Sequence, residues 1–283
     1  MLNGKTKVMS MQEYEHQVRT TGFCVLPGVI PDDAIPGIRA SILKTTEEVG
    51  QQSYFAPSAT VAIAGLINYD QSFVSYLVEC RLSQLVTSLL DEHYRVSFTT
   101  ALVNHPSQER GQWHADWPFI QSLGARVVQP YPDAIIHLTC LFMLSDFSPE
   151  TGATLVIPGS HRRRFNPTGT DEIDSYGSQA EAIQVSGCAG SVLVMDSRCW
   201  HAAAPNPSDL PRVAFAIRFA PWWLNLEVLR PGSFLRRTMV ESRGKPDGAV
   251  PALPREVFAT LPETVKPLFH HWIERDTASL VED

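Results

Sequence analysis

The sequence predicts a mainly β chain with flanking helices, wound as a double-sheet jelly roll (a double-stranded β-helix, cupin-like). Three observations predict it. Short β-rich apolar runs recur from residue 94 onward, at 94–103, 134–144, 153–157, 191–195 and 213–220. Turn residues divide them, among them Pro106, Gly111, Pro130, Pro132, Gly152, Pro158, Gly159 and Gly187, and separated short strands of this kind wrap into two facing sheets. The chain carries neither regular strand–helix alternation nor a glycine-rich phosphate loop, which argues against a doubly wound nucleotide fold.

Helices are expected ahead of the sheets. Residues 11–20 suggest a helix stopped by Gly22, followed by a short strand at Phe23-Cys24-Val25-Leu26 that Pro27-Gly28 ends. Pro31-Asp32-Asp33 introduces a second helix running to about Val49, with Ile35, Ile38, Ile42 and Leu43 near helical spacing. A third covers residues 71–92, where Phe73, Leu77, Leu82, Leu85, Val86 and Leu89 form the apolar face. The polar section 166–186 borders the mouth of the barrel, as a lid or as a fixed excursion. Beyond residue 222, helices are expected at 224–230 and 262–274, separated by Pro231, Gly244, Pro246, Gly248, Pro251 and Pro254. No internal repeat or linker demands a second domain. Residues 1–283 therefore read as a single catalytic domain, with N-terminal helical support and a C-terminal extension around the jelly-roll core.

Composition narrows the class. The hydrophobic fraction is 44% and the charged fraction 19%, below the roughly 25% usual for soluble domains. A formal charge of -7 argues against a nucleic-acid surface. No apolar run reaches the roughly 20 residues that span a bilayer, and the N-terminus turns polar where a signal peptide needs its apolar section. Cys24, Cys80, Cys140, Cys188 and Cys199 lack Cys-x-x-Cys spacing and read as reduced thiols. The expectation is a cytoplasmic protein, monomer or homodimer, that meets a small-molecule substrate and neither nucleic acid nor membrane.

Chemistry concentrates at three places. In Gln112-Trp113-His114-Ala115-Asp116, a spacing of two puts His114 and Asp116 on one side of an extended backbone. His201 follows the apolar run 191–195 and can complete a three-donor face. Two imidazoles and a carboxylate suit non-haem Fe(II), leaving positions open for an oxidant and a co-substrate, although zinc accepts the same donors. Arg212 leads into Val213-Ala214-Phe215-Ala216-Ile217, where its guanidinium can grip a carboxylate with two hydrogen bonds. Arg218 is the backup for that grip, with bracing of the core edge as its more ordinary use.

Substrate contacts are expected from Trp117 and Phe119, which continue away from the His114–Asp116 pair, while Trp113 and Trp200 read as core. Asn104 and His105 precede a loop and offer polar contacts. The basic turn Arg162-Arg163-Arg164 makes Arg163 a candidate for an acidic substrate. Pro158-Gly159-Ser160-His161 reads as a structural turn.

Together, His114-Ala115-Asp116, the run ATLVIPGS at 153–160, and His201 followed by Arg212 resemble the phytanoyl-CoA dioxygenase family over residues 15–222 or so. The resemblance implies a jelly-roll core using Fe(II), with 2-oxoglutarate and oxygen as co-substrates. Carried onto this chain, it makes His114, Asp116 and His201 the catalytic iron ligands, and Arg212 the clamp on the distal carboxylate of 2-oxoglutarate. Ala214 stands where relatives place a hydroxyl, so Thr139 or a tyrosine is expected to supply that cofactor-binding contact. Asp116 keeps the metal carboxylate, which disfavours a halogenase. The implied reaction is hydroxylation of a small metabolite in natural-product metabolism, with desaturation, cyclisation or epoxidation as variants. The alternatives are a noncatalytic jelly-roll protein that binds metal and a small acid, and a zinc hydrolase.

Overall fold

The computed structural model describes residues 9–50, 60–107, 109–119, 134–163, 165–168, 174–243 and 248–275. Of the sequence features above, Pro130, Pro132, Arg164, Gly244 and Pro246 lie outside the described residues.

Local chemistry sets the first elements. Ser10 caps helix α1 (Met11–Thr21) by accepting the Glu13 amide, and the Glu13 carboxylate accepts the Ser10 amide in return. Gly22 ends the helix in the left-handed region at φ +92° and turns the chain into strand β1 (Phe23–Leu26). Helix α2 (Ile35–Val49) buries Ile35, Ile38 and Ile42 as its spacing requires. The third helix is shorter than the periodicity suggested. A 3-10 turn at Val74–Val78 is separated from helix α3 (Cys80–Leu90) by Glu79, whose backbone is extended. The Glu79 carboxylate accepts the Arg81 and Leu82 amides, so a side-chain cap restarts the helix at that point.

Among the described residues, nine strands build two sheets. Strands β2 (Thr60–Ala64), β3 (Arg95–Asn104), β4 (Leu138–Met143), β7 (Val192–Asp196) and β9 (Arg212–Ala220) join β1 in a six-stranded antiparallel sheet of order β1-β7-β4-β9-β3-β2. The smaller sheet holds β5 (Leu155–Val156), β6 (Ile183–Gln184) and β8 (His201–Ala202) in the order β6-β5-β8. Non-consecutive neighbours and two facing sheets define the jelly roll. Strands β2, β6 and β8 had no expected counterpart, because two of them span only two residues each.

Alternation along β9 divides the interior into two layers. Val213, Phe215, Ile217 and Phe219 point outward with Cys140 and Phe142 and pack with Ile42, Leu82 and Leu85 of the helices. Ala214 and Ala216 point inward with Leu141, Met143, Leu193 and Met195, and meet Val156 and Cys199 from the side of the smaller sheet. Arg212 and Arg218 share that inward parity.

The C-terminal extension contains helices α4 (Phe234–Met239), α5 (Arg255–Thr260) and α6 (Lys266–Phe269). The expected helix at 224–230 is only a 3-10 turn, Glu227–Leu229. Trp272 packs with Ala64, Phe98 and Ala220, which anchors this segment to the large sheet. No described helix is long and apolar enough to cross a membrane. All five cysteines are free, with Cys24, Cys140 and Cys199 buried and Cys80 and Cys188 exposed.

Gly190 joins these layers. Its carbonyl accepts the Val29 and Ile30 amides at 2.8 and 3.0 Å, and its own amide donates to Met143 at 2.8 Å. Its φ is +86°, and a Cβ there would run into the Ile30 carbonyl oxygen. Gly190→Ala is therefore expected to cost about 2 kcal/mol or more of unfolding free energy in a urea titration. An unchanged midpoint would contradict this packing.

Candidate metal centre

The site begins with a backbone bridge. His114 and His201 form an antiparallel pair in which each amide donates to the other's carbonyl, at 3.0 and 2.9 Å. His201 also pairs with Val156 across β8 and β5, so the segment carrying His114 extends the smaller sheet by one bridge. The imidazole centroids lie 4.2 Å apart. Asp116, two residues beyond His114, projects on the same side.

His114, Asp116 and His201 each present one ligand atom, and these atoms all lie within 4.8 Å of one another. His114 Nδ1 meets the Gln112 carbonyl and His201 Nδ1 meets the Cys199 carbonyl, both at 3.0 Å. A carbonyl only accepts, so each ring is protonated at Nδ1 and keeps its lone pair at Nε2. Those two Nε2 atoms face the Asp116 oxygens at 4.0 and 3.7 Å. Two neutral nitrogens and one carboxylate converging from one side fit a divalent transition metal.

The electrostatics agree with that donor set. Burial works against charge on Asp116, but Arg218, His201, His114 and the Thr139 hydroxyl outweigh it and hold the carboxyl well below its usual range. Desolvation and the neighbouring His201 push His114 down to about 4, so its nitrogen is free to ligate near neutrality.

Both oxygens of Asp116 are held. Arg218 Nη2 donates to Oδ1 at 2.5 Å and Thr139 Oγ1 donates to Oδ2 at 2.7 Å. Arg218 is therefore the partner of the metal-site carboxylate, and the reading of it as core-edge bracing is corrected. Thr139 differs from expectation too. It lies opposite Arg218 in the sheet register, toward the other end of β9 from Arg212, and its hydroxyl is committed to Asp116 and Ser197.

Arg212 is buried, and its guanidinium carbon sits 4.2 Å from the centre of the Phe147 ring. Its Nε has no hydrogen-bond partner, and among the described residues no carboxylate pairs with it. Burial lowers its pKa to about 10. Asn104 faces Arg212 in the register of β3 and β9, donates to the Ala204 carbonyl at 3.1 Å and leaves its buried Oδ1 without a partner. Asn104 thus belongs to the Arg212 end of the barrel.

The remaining candidates divide. Phe119 is half-buried, with its ring 5.0 Å from that of His137, and the Trp117 amide donates to the Ser197 carbonyl beside Asp116. Trp113 and Trp200 are buried together with Ala115, Ile157 and Ala202, so they are packing, as expected. Arg163 lies over Trp200 at 4.5 Å and pairs with Glu181. Its charge is already matched, which weakens the expectation that it recruits an acidic substrate. His161 contacts the Arg19 carbonyl at 3.2 Å, a structural use. The described part of the excursion at 166–186 is tied down at two places: Trp113 Nε1 donates to the Gly177 carbonyl and its amide to the Ser175 carbonyl, and β6 pairs with β5.

Sequence reading missed His137, Ser197 and Ser97. His137 is fully buried, contacting Ser97 Oγ at 2.6 Å and Ser197 Oγ at 2.7 Å. The available signal was parity: His137 and Thr139 sit two apart in a predicted strand and so share a face.

With this geometry in view, the protein class is clear: a jelly-roll oxygenase framework around a His-Asp-His cluster. The sequence matches the family model for phytanoyl-CoA dioxygenase over residues 18–214, and the chain belongs to that family. An uncharacterized protein of Mycobacterium tuberculosis is 25% identical over 221 residues, covering 74% of this chain and 75% of that protein. Dioxygenase af480 of Aspergillus fumigatus is 24% identical over 210 residues, covering 71% of this chain and 63% of that protein. Among solved structures, HygX from Streptomyces hygroscopicus, with nickel, 2-oxoglutarate and hygromycin B bound, shares the fold at a TM-score of 0.58. Its identity is 19%, and the match covers 76% of this chain and 88% of that one. Family and triad together identify an iron- and 2-oxoglutarate-dependent dioxygenase.

Burial lowers the pKa of His137 to about 3, with Arg218 adding to the effect. The ordinary value is about 6.5, so the unfolded chain takes up a proton that the folded chain refuses as pH falls between those values. Folding stability is therefore lost on acidification below about pH 6.5, at about 1.4 kcal/mol per unit from this residue. Denaturant titrations across that range are expected to show a shallower acid slope in His137→Asn than in the unaltered protein. Equal slopes would refute it.

Proposed function

We propose that this dioxygenase oxidises a C–H bond of a small metabolite, by hydroxylation, with His114, Asp116 and His201 holding Fe(II) and Arg212 holding 2-oxoglutarate. Iron with bound 2-oxoglutarate and oxygen supplies an oxidant able to attack an unactivated C–H bond. The chain's part is to bind, orient and exclude water. The Gln112 and Cys199 carbonyls fix the two imidazoles, and Arg218 with Thr139 fixes the carboxylate.

One observation carries the reading beyond metal binding. Arg212 is a buried cation with no described counter-ion, stacked on Phe147 and sharing the inward face of β9 with Arg218. Only Ala214 and Ala216 lie between them on that face, each contributing a methyl. An unpaired buried guanidinium is costly, and a carboxylate ligand removes the cost with two charge-assisted hydrogen bonds. A zinc hydrolase would leave Arg212 without a task, whereas a noncatalytic protein that binds metal and a small acid would use it too, so succinate formation is what separates that alternative from a dioxygenase.

Trp117 and Phe119 are assigned to the substrate side, where Phe119 is half-buried beside His137. A diffusible organic substrate is supported by HygX, which shares this fold and binds hygromycin B in its crystal structure. Five unpaired cysteines support a reducing, cytoplasmic setting. On this reading residues 1–283 act as one domain, as monomer or homodimer.

Arg212→Ala is expected to weaken 2-oxoglutarate binding to the iron-loaded protein about a hundredfold, with Arg212→Lys in between. Anaerobic titration, followed by the visible charge-transfer absorption of chelated iron, measures it. Unchanged affinity would reject the clamp. His201→Ala is expected to lose both iron retention and succinate formation.

A further inference from the structure

Behind Asp116 lies a chain of buried polar groups that the reaction does not itself require. Thr139 Oγ1 touches Asp116 Oδ2 at 2.7 Å and Ser197 Oγ at 2.8 Å. Ser197 Oγ touches His137 Nδ1 at 2.7 Å, and His137 Nε2 touches Ser97 Oγ at 2.6 Å. Thr139, Ser197, His137 and Ser97 are all buried, so each contact needs its proton.

Proton supply allows one direction only. The ionised Asp116 can only accept, so the Thr139 hydroxyl donates to it. Thr139 then has no second proton, and Ser197 must donate to Thr139. Ser197 in turn must accept from His137 Nδ1–H, and His137 Nε2 must accept from Ser97. Four contacts then share four protons. The opposite tautomer would turn Ser97 to the Arg218 carbonyl, 3.2 Å away, and Ser197 to His137. It would leave one of the two Thr139 contacts without a proton.

The backbone repeats the connection. Ser197 donates its amide to the His137 carbonyl at 3.0 Å, and its own carbonyl accepts the Asp116 and Trp117 amides at 2.7 and 3.0 Å. Ser197 and His137 thus support Asp116 from both main chain and side chain.

From this geometry we infer that His137 is a positioning residue. As the Nδ1–H tautomer it directs the Ser197 hydroxyl to Thr139, and the Thr139 hydroxyl to Asp116 Oδ2, fixing the carboxylate for the metal. The inference rests on the metal-centre reading above, and concerns a residue outside the ligand set. Its effect appears in metal affinity before any turnover, because a carboxylate free to rotate must be ordered by the metal.

The test uses the full chain and Co(II) alone, titrated anaerobically by visible absorption. His137→Leu removes both ring contacts and is expected to weaken Co(II) binding by about tenfold or more. His137→Asn keeps an N–H near the position of Nδ1 and is expected to stay within about threefold of the unaltered protein. Nitrogen NMR of the metal-free protein, with the His137 signal assigned by its loss in His137→Asn, is expected to show the Nδ1–H form.

An Nε2–H tautomer overturns the inference even if His137→Leu fails to fold. So does Co(II) affinity in folded His137→Leu equal to that of the unaltered chain, since a purely structural histidine would change only the melting temperature. A loss in His137→Asn as large as in His137→Leu also overturns it. His114→Ala separates the two readings: if it binds Co(II) as tightly as the unaltered chain, the metal centre itself is wrong.

Discussion

The reciprocal backbone bond between His114 and His201 is the constraint on which the site depends. It joins the segment carrying His-x-Asp to the edge of the smaller sheet, and its register leaves both imidazoles on the same side. A one-residue slip would send one ring to the opposite face. The bridge is short, so neighbours must hold it: β8 pairs with β5 on one flank, and the Trp113 amide binds Ser175 on the other. Residues outside the His-Asp-His cluster, in β5 and at Ser175, thereby help secure the distance between the two imidazoles.

The larger sheet supplies the charges. Along β9 the inward positions read arginine, alanine, alanine, arginine, and the two guanidinium groups meet different fates. Arg218 reaches Asp116 and helps a buried carboxylate stay ionised. Arg212 has Phe147 above it and no described acid beside it. One strand therefore carries both the partner of Asp116 and a buried cation with no described acid beside it. Their difference follows from register, since Arg218 lies opposite Thr139 and Arg212 opposite Asn104.

Much of this was legible in the sequence because its signals are local. The jelly roll followed from short apolar runs, the His114–Asp116 pair from a spacing of two, and the Arg212 position from the strand it opens. Gly22 announced the end of α1. What escaped was set by contact across the sheet. Nothing beside Arg218 in sequence says that it will meet Asp116, and nothing beside Ser197 says that its hydroxyl will lie between His137 and Thr139. The break at Glu79 escaped for another reason: the apolar periodicity continues through it, while a capping carboxylate resets the backbone. The two-residue strands β6 and β8 are too short for any periodicity to register.

Charge accounts for why a dianionic co-substrate suits this particular interior. Asp116 and Arg218 cancel, so the polar centre of the barrel starts close to neutral, and Arg212 adds one positive charge. A divalent metal raises that total further in a poorly solvated space, which opposes its own binding. A dicarboxylate that chelates the metal at one end and meets Arg212 at the other removes most of the excess. On the proposed reading, metal and co-substrate therefore strengthen each other's binding by the same factor, as linkage demands. On that reading the buried arginine, with no described acid beside it, makes the metal site depend on the acid it would use, while Arg218 and the hydroxyls behind Asp116 keep the carboxylate in place before either arrives.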